Sequence, residues 1–420
     1  MARSMEDVRK SGTAPDRRGS RRPEPEAQER RYLLISVDDH VVEPPGLFVD
    51  RVTASMRDLA PRVMEGEGGD QYWLVDGEAR PFTGADSVVG WEPDGVDDYM
   101  LPMRYEEMRP ASYDPDARVR DMDIDGVYAS LTFPSMVWGF CGQRVWGLAD
   151  PAVARACVRA YNDWVAEEWC GVHPDRLIPN QIVYLPDPAV AAREVRRNAG
   201  RGFRAVSLSE NPERLGLPSI HTRHWDPLLE ACEETGTVIN LHLGSSSSRP
   251  YASSDAPVAV SSMMWPAHVM CAAAEWVYSQ VCVRYPQLRL AFSEGGIGWV
   301  PVLLQRMERA HRMRAPMTGW PDGDLTPMDV FLRNFWFCAI DEPYSFDQRH
   351  RFGVDRILLE SDYPHSDTSW PVTQAAVHEQ VKDLRPEEIA LVTHGNAAAL
   401  YGHRLPTSPE WLPTRRAAPR

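Results

Sequence analysis

Carboxylates and histidines occur at the ends of several apolar, β-rich segments, where their side chains could converge on a metal ion. The first such segment ends in VDDHVVEPP, which contains Asp38, His40 and Glu43. Asp38 and His40 are two residues apart, so an extended chain places both on one face. Glu43 follows in the next loop, just before two prolines. Carboxylates and imidazoles are common metal ligands, so the spacing predicts that this strand end contributes to a metal site.

Three later segments end in the same kinds of residue. NLH places His242 at a segment tip, FSEGG places Glu294, and LLESDYPHSD offers Asp362 and His365. Each residue also has an ordinary structural interpretation: Glu294 could cap a helix, Glu43 could be solvated, and His365 could belong to a turn. Their joint placement behind four segments predicts a metal centre, with Glu294, Asp362 and His365 as its catalytic side chains.

The pattern of apolar residues indicates the scaffold that brings these segment ends together. Short β-rich runs alternate with amphipathic stretches at 151–168, 188–198, 225–235 and 270–285. Eight strands that alternate with helices predict a parallel α/β fold, and eight is the number that closes a barrel. The sequence therefore predicts a (β/α)₈ TIM barrel with strands at 33–37, 127–133, 177–185, 203–208, 238–242, 288–292, 335–340 and 356–361. Catalytic side chains of such barrels project from the carboxyl ends of the strands, where the candidates fall.

A single barrel domain is predicted over residues 32–405. A segment rich in Gly, Pro and Asp, at about 48–120, is inserted after the first strand and is expected to cap one barrel end. Residues 1–31 carry nine basic and six acidic side chains without an apolar stretch, so a mobile tail is expected rather than a signal peptide. Residues 406–420 are expected to form an irregular tail.

Composition argues against several other classes of function. The 420 residues carry a formal charge of −15 and no basic block, which argues against nucleic acid as the main partner. The seven cysteines form no C-x-x-C pair, so neither a disulfide framework nor a cysteine-bound cluster is expected. The longest uncharged stretch, 256–274, contains prolines and polar residues and is a poor membrane span, so a cytoplasmic protein without membrane contact is expected. The sequence contains no G-x-S-x-G elbow of a serine hydrolase.

Several stretches resemble the amidohydrolase-related barrel family, which includes aminocarboxymuconate-semialdehyde and dihydroxybenzoate decarboxylases. They are ISVDDHVVEPP, HWDPLLEACEETGTVINLH, RYPQLRLAFSEGGIGWVP, RILLESDYPHSD and HGNAAALYG, and they run from about residue 33 to 403. The resemblance implies an amidohydrolase-like barrel. Typical members carry His-x-His where this chain has Asp38 and His40, and often a histidine where it has Glu294. The carboxylated lysine that bridges two metals in dinuclear members is unavailable, because no lysine lies between residues 11 and 381.

The candidate ligands include four carboxylates, from Asp38, Glu43, Glu294 and Asp362. Two divalent ions would balance these charges, whereas one ion would leave a costly net negative charge in a partly dry cavity. Hard oxygen donors together with imidazoles suit iron, and zinc and manganese are alternatives.

This ligand pattern resembles a branch of nonheme diiron monooxygenases built on the same barrel, one of which hydroxylates a diterpenoid in platensimycin and platencin biosynthesis. The resemblance implies two iron ions, O₂ as co-substrate, and the ligands Asp38, His40, Glu43, His242, Glu294, Asp362 and His365. It implies hydroxylation of an unactivated C–H bond in a bulky apolar acyl substrate, carried as a coenzyme A thioester. An external reductase or electron donor is expected, because the chain has neither a dinucleotide-binding fingerprint nor cysteine spacing for a ferredoxin-type cluster.

Two other functions are compatible with the same residues. A metal-dependent hydrolase or nonoxidative decarboxylase would use zinc or manganese to activate water or polarise a carboxylate, with Asp362 as the proton-transfer residue. A catalytically inactive barrel would serve as a binding protein. Two irons per chain would favour the monooxygenase, one zinc or manganese the hydrolase or decarboxylase, and no metal the binding protein.

Overall fold

The computed structural model describes residues 19–66, 69–93, 103–250, 252–314, 317, 319–321, 323–408 and 411. The strands within these ranges are β1 (Gly19–Arg21), β2 (Ile35–His40), β3 (Arg62–Glu65), β4 (Gln71–Val75), β5 (Glu78–Pro81), β6 (Trp91–Pro93), β7 (Ala129–Phe133), β8 (Leu177–Ile178), β9 (Asn180–Gln181), β10 (Ala205–Ser209), β11 (Val238–His242), β12 (Leu290–Ser293), β13 (Phe335–Ala339) and β14 (Ile357–Leu359).

One parallel sheet closes into a barrel. Its strands are hydrogen-bonded in the order β8, β7, β2, β14, β13, β12, β11, β10, β9. Only Pro179 separates β8 from β9, and these two pieces pair with β7 and β10 on either side. Together they fill one position of an eight-position barrel, so the predicted (β/α)₈ fold is confirmed. The third predicted strand, 177–185, is shorter and divided, because a proline has no N–H for the ladder.

The helices that cover the barrel are α1 (Pro115–Asp125), α2 (Gln143–Trp146), α3 (Pro151–Trp164), α4 (Pro188–Ala199), α5 (Asp226–Thr235), α6 (Val258–Met263), α7 (Trp265–Tyr278), α8 (Val281–Arg284), α9 (Val300–Arg314), α10 (Pro327–Asn334), α11 (Thr373–Val381), α12 (Pro386–Ala390) and α13 (Asn396–Tyr401). Asp114, Asp150 and Asp187 cap α1, α3 and α4, each just before a proline. The predicted helix 270–285 is broken, because Gln280 adopts a left-handed conformation (φ 61°) between α7 and α8. In the part of the chain that the structure describes, no helix is both long enough and apolar enough to cross a bilayer.

A β-bulge decides which side chains of β2 face the barrel interior. Ile35 and Val37 pack in the interior apolar cluster, and the register between β2 and β7 then slips by one residue. The extra residue changes the phase of the alternation, so Asp38 and His40 also face inward. Asp39 faces the opposite way. The bulge therefore places two candidate ligands at the barrel mouth.

A small sheet lies in the segment predicted to cap the barrel. β3, β4 and β5 form this antiparallel sheet. Trp73 on β4 packs against Phe48 and against Trp138 on the loop after β7, with ring centroids 5.7 and 5.0 Å apart. The Tyr105 hydroxyl donates to the carbonyl oxygen of Glu43. These contacts hold the segment against the loops at the carboxyl end of the barrel. Residues 67–68 and 94–102 of the predicted cap lie outside the described residues.

Residues 19–31, part of the segment expected to be a mobile tail, make specific contacts with the rest of the chain. β1 pairs with β6, and Glu24 forms an ion pair with Arg109. The guanidinium of Arg30 lies 3.9 Å from the ring centroid of Trp411, and that of Arg176 lies 4.7 Å from it. Charged side chains of residues 19–31 thus find partners elsewhere in the chain, and Trp411 receives two guanidinium groups, which the composition alone did not indicate. Residues 1–18 and 412–420 lie outside the described residues, so their expected mobility and irregularity stay predictions.

Candidate metal centre

The carboxyl end of the barrel gathers six of the seven predicted site residues in two groups. In each group, one ligand atom per residue lies within 4.8 Å of all the others. The first group contains Asp38, His40 and His242, and the second contains His40, Glu294, Asp362 and His365. His40 belongs to both groups. Only Glu294 among the six keeps appreciable exposure, 20% of its side chain, so it faces the mouth of the site.

Two histidines present lone pairs to the same space. Nδ1 of His40 lies 3.1 Å from the carbonyl oxygen of Pro134, and Nδ1 of His242 lies 2.6 Å from that of Leu243. A carbonyl only accepts, so each Nδ1 donates, and each Nε2 of the neutral rings carries a lone pair. The two Nε2 atoms are 3.1 Å apart, and Oδ1 of Asp38 lies 3.5 and 3.3 Å from them. Facing lone pairs repel unless a cation joins them, so this arrangement fits a metal ion.

Asp362 joins this first group to the second. Its Oδ1 lies 3.4 Å from Nε2 of His40 and 3.0 Å from Nδ1 of His365. The His365 ring stacks on the His40 ring, with centroids 3.8 Å apart. The backbone N–H of Asp362 donates to the carbonyl oxygen of Asp38 at 2.9 Å. Strand β2 and the loop after β14 are therefore tied together where their ligands meet.

Buried polar atoms without hydrogen bonds mark the same space. Both carboxylate oxygens of Asp38, both of Asp362 and Nε2 of His365 are inaccessible to solvent and make no hydrogen bond. Each unsatisfied buried group costs on the order of 1–3 kcal/mol, and a charged one costs more. Cations bound at the two donor groups would satisfy these atoms. The donor set of oxygens and imidazole nitrogens fits zinc, manganese or iron.

Burial and mutual repulsion shift the pKa values of this cluster. Burial raises the pKa of Asp38 well above its usual value, and the Asp362 carboxylate adds to this shift. Burial likewise raises the pKa of Glu294 well above its usual value. Burial also acts to raise the pKa of Asp362, but His365 and His40 outweigh it, so the net pKa is lowered. Burial, followed by the charge of His365, lowers the pKa of His40 to about 3, so the ring is neutral as a metal ligand must be.

Glu43, the seventh predicted ligand, lies apart from both groups. Its carboxylate accepts hydrogen bonds from the backbone N–H of Ser135 at 3.1 Å and from the Ser135 hydroxyl at 2.6 Å. Burial raises the pKa of Glu43 to about 8. Through these bonds Glu43 anchors the loop that follows β7. Its role as a metal ligand stays a prediction, which these contacts do not favour.

Two buried carboxylates beside the cluster were not predicted from the sequence. Asp39 faces outward from β2 and accepts hydrogen bonds from Ser36 on the same strand, Ser130 on β7 and Ser361 in the loop after β14. Glu360 follows β14, and burial raises its pKa well above the usual value, with a further contribution from Asp38. Glu360 and Asp362 are two residues apart, the spacing that identified Asp38 and His40. The same rule could have found Glu360.

Phenylalanines form one wall of the site. The ring centroid of Phe140 lies 4.1 Å from that of His242 and 4.8 Å from that of His40. Phe133, at the end of β7, lies 4.7 Å from His242 on another side. Both rings keep water away from the two central imidazoles. Phe133 is fully buried, whereas the partly exposed Phe140 offers an apolar surface to a bound molecule.

A family model described as Amidohydrolase matches residues 73–403 of the sequence. This stretch covers more than half of the chain, and the chain belongs to the amidohydrolase family. The stretch includes His242, Glu294, Asp362 and His365, whereas Asp38 and His40 precede it.

Solved structures share the fold at low sequence identity. An amidohydrolase from Mycobacterium avium subsp. paratuberculosis K-10 is 22% identical, with 88% of this chain and 99% of that chain covered and a TM-score of 0.65. A 5-carboxyvanillate decarboxylase from Sphingomonas paucimobilis is 19% identical, with 89% and 99% covered and a TM-score of 0.61. A 5-carboxyvanillate decarboxylase mutant from Novosphingobium aromaticivorans, solved with bound manganese, is 17% identical, with 90% and 100% covered and a TM-score of 0.63. No curated protein matches the sequence.

Proposed function

We propose that this chain is a metal-dependent nonoxidative decarboxylase that acts on an aromatic carboxylic acid. The observation that carries the proposal is the convergence of the His40 and His242 Nε2 atoms with the unpaired oxygens of Asp38 and Asp362. Membership of the amidohydrolase family and the likeness of the fold to decarboxylases support the choice of reaction class. Manganese is the proposed metal, because one of these structures contains it and the donor set suits it.

The residues around the centre have distinct tasks in this reaction. A divalent ion bound by Asp38, His40, His242 and Asp362 would polarise the substrate carboxylate. Phe140 packs beside the imidazoles, where it can contact an aromatic ring and exclude water. As the C–C bond to the carboxylate breaks, its electron pair stays on the ring carbon and CO₂ leaves. Glu294, at the mouth of the site, donates the proton that this carbon needs and regains one from water.

Oxygen-free assays test this function. Manganese-loaded protein should convert hydroxybenzoic acids to products lighter by CO₂, as followed by mass spectrometry. In saturating manganese, Glu294→Gln should still hold one ion per chain through the other ligands and lose turnover by about 100-fold or more, because the proton donor is gone. A control, Glu308→Gln, removes a carboxylate on the surface of α9, 63% exposed, and should retain full turnover. Turnover that requires O₂ and a reductant would contradict the proposal.

A second function, nonheme diiron monooxygenation, is favoured by one specific observation. The second donor group adds Glu294 and His365 to the ligands that one ion needs. Four carboxylates lie in or beside the two donor groups, those of Asp38, Glu294, Glu360 and Asp362. Among the described residues, no lysine or arginine contacts any of them in these hydrogen bonds and ion pairs. Two divalent ions would balance these charges better than one.

This second function carries its own cofactors and partners. Two iron ions would supply the electrons and open positions with which O₂ is activated. The proposed substrate is a bulky apolar acid, carried as a coenzyme A thioester, and the electrons come from a separate reductase. The partly exposed Phe140 would face its apolar part.

Counting metal ions in two variants separates the one-metal and two-metal centres. His365→Ala should lower the metal content from two ions to one per chain if the second donor group binds an ion, because it removes a ligand of that group alone. Glu43→Gln should leave the content unchanged, since the amide oxygen can still accept from Ser135. Elemental analysis of iron-loaded and manganese-loaded protein measures both. One ion per chain in the parent and in both variants would contradict the two-metal centre, and loss of metal in Glu43→Gln would restore Glu43 as a ligand.

A further inference from the structure

Glu360 lies inside the barrel, just below the candidate ligands. It follows β14 directly, in phase with Leu358 of the interior apolar cluster and with Asp362 above it. Only 5% of its surface is exposed. One of its carboxylate oxygens, Oε1, is inaccessible and has no hydrogen-bond partner. Burial of a charged group is costly, so a carboxylate buried in this position is expected to have a compensating role.

The other oxygen of Glu360 holds the backbone of a candidate ligand. Its Oε2 accepts the backbone N–H of Glu294 at 3.1 Å. Glu294 follows the last residue of β12 and has a φ of 55°, a left-handed conformation that is unfavourable for a residue other than glycine. Two glycines, Gly295 and Gly296, come next and offer no stiffness of their own. The hydrogen bond from Glu360 is therefore a restraint on this turn that comes from across the barrel.

We propose that Glu360 is a positioning residue: its hydrogen bond to the backbone of Glu294 fixes the turn that directs the Glu294 carboxylate into the metal centre. Oε2 of Glu294 lies 3.7 Å from Nδ1 of His242. Without the bond, the Gly-Gly sequence would let Glu294 swing towards solvent at the mouth. The inference rests on the metal centre of the proposed function and is independent of the reaction.

Three variants separate the hydrogen bond from charge and from general loop stability. Glu360→Gln keeps an acceptor and removes the negative charge, whereas Glu360→Leu removes the acceptor at similar volume. Glu342→Leu is the matched control, because Glu342 accepts from the backbone N–H groups of Ile297 (2.6 Å) and Gly298 (3.2 Å) in the same loop. Glu342 belongs to neither donor group among the described residues. Glu360→Ala replaces the leucine variant if that protein does not fold.

Two measurements decide the outcome, the exchange rate of the Glu294 amide in metal-free protein and the affinity for manganese followed by electron paramagnetic resonance. Glu360→Leu should exchange this amide faster and bind manganese about 10-fold more weakly, the size of effect expected when a group that orients a ligand is removed. Glu360→Gln and Glu342→Leu should match the parent in both. Weak binding in Glu360→Gln would show that charge matters rather than the hydrogen bond, and equal loss in Glu342→Leu would show general loosening; either result overturns the inference. If the parent binds no manganese, the proposed function fails, and the exchange rates alone then decide whether Glu360 restrains Glu294.

Discussion

Asp38→Asn is expected to weaken metal binding by roughly 100-fold or more while making the metal-free protein more stable. Both oxygens of Asp38 are buried without hydrogen bonds, and the side chain is completely inaccessible. In the metal-free protein no lysine or arginine among the described residues pairs with its charge, and the Ser293 hydroxyl offsets only a small part of the effect of burial and of the neighbouring carboxylates. Asp38 is therefore needed to bind the metal, but it destabilises the folded protein when the metal is absent. Asparagine keeps the shape, removes the charge and is a poorer ligand.

The difference in stability between metal-free Asp38→Asn and the parent should depend on pH. Burial raises the pKa of Asp38 in the folded protein, so the folded state binds this proton more tightly than the unfolded chain does. Stability that depends on Asp38 must then fall as the pH rises from the unfolded pKa, about 4, through the folded pKa. The gain in stability of metal-free Asp38→Asn over the parent should grow over the same range. Thermal unfolding in chelator at a series of pH values measures it.

A control for Asp38→Asn is Asp355→Asn, which changes a side chain that is 61% exposed. This control should alter neither metal affinity nor the pH dependence of unfolding. If metal-free Asp38→Asn is less stable than the parent at neutral pH, the carboxylate has a structural partner, and the metal centre loses its main physical argument.

The barrel could be predicted because its information is local. Each β-rich run is short and apolar, and each is followed by a helical pattern, so the number and order of elements can be read without knowing any contact. The divided third position depends on Pro179, which separates β8, paired with β7, from β9, paired with β10. The order of residues 19–31 depends on Arg109 and Trp411, which are distant in sequence. Contacts between residues that are distant in the chain produce no periodic pattern in the sequence.

The site was predicted in part for the same reason. His242 and Glu294 each stand at the end of a strand, so a strand assignment locates them directly. For Asp38 and His40 the sequence predicts a shared face, and the bulge in β2 decides that this face is the barrel interior. Glu43 follows β2 by three residues and is held by Ser135, far along the chain. Asp39 lies between two candidate ligands in the sequence, and nothing in its local pattern distinguishes it from a solvated aspartate.

Asp39→Ala is expected to lower the free energy of unfolding by about 3–5 kcal/mol, because several buried hydrogen-bond donors lose their acceptor at once. The Asp39 carboxylate accepts hydrogen bonds from the Ser36 hydroxyl at 3.0 Å, the Ser361 hydroxyl at 2.6 Å and the backbone N–H of Tyr363 at 3.0 Å, and another from the Ser130 hydroxyl. These donors come from β2, β7 and the loop after β14. One carboxylate thus joins three adjacent positions of the barrel directly behind the metal centre.

The loss in Asp39→Ala has two physical sources. The donors that are left unpaired are buried, and each costs on the order of 1–3 kcal/mol. Arg118 is also fully buried, donates to the carbonyl oxygen of His40 at 2.5 Å, and would lose the attraction of the Asp39 charge. Metal affinity should fall as well, since Asp38 and His40 flank the residue that is changed.

The matched control for Asp39→Ala is Asp187→Ala. Asp187 also accepts two backbone hydrogen bonds, but it caps the start of α4 at the surface. Its loss should cost about 1 kcal/mol, as is usual for a helix cap, and should leave metal affinity unchanged. Denaturant unfolding of both metal-free variants makes the comparison. If Asp39→Ala costs no more than Asp187→Ala, the strands at the barrel mouth are held by their backbone ladders alone, and the serines around Asp39 are satisfied by solvent once the carboxylate is gone.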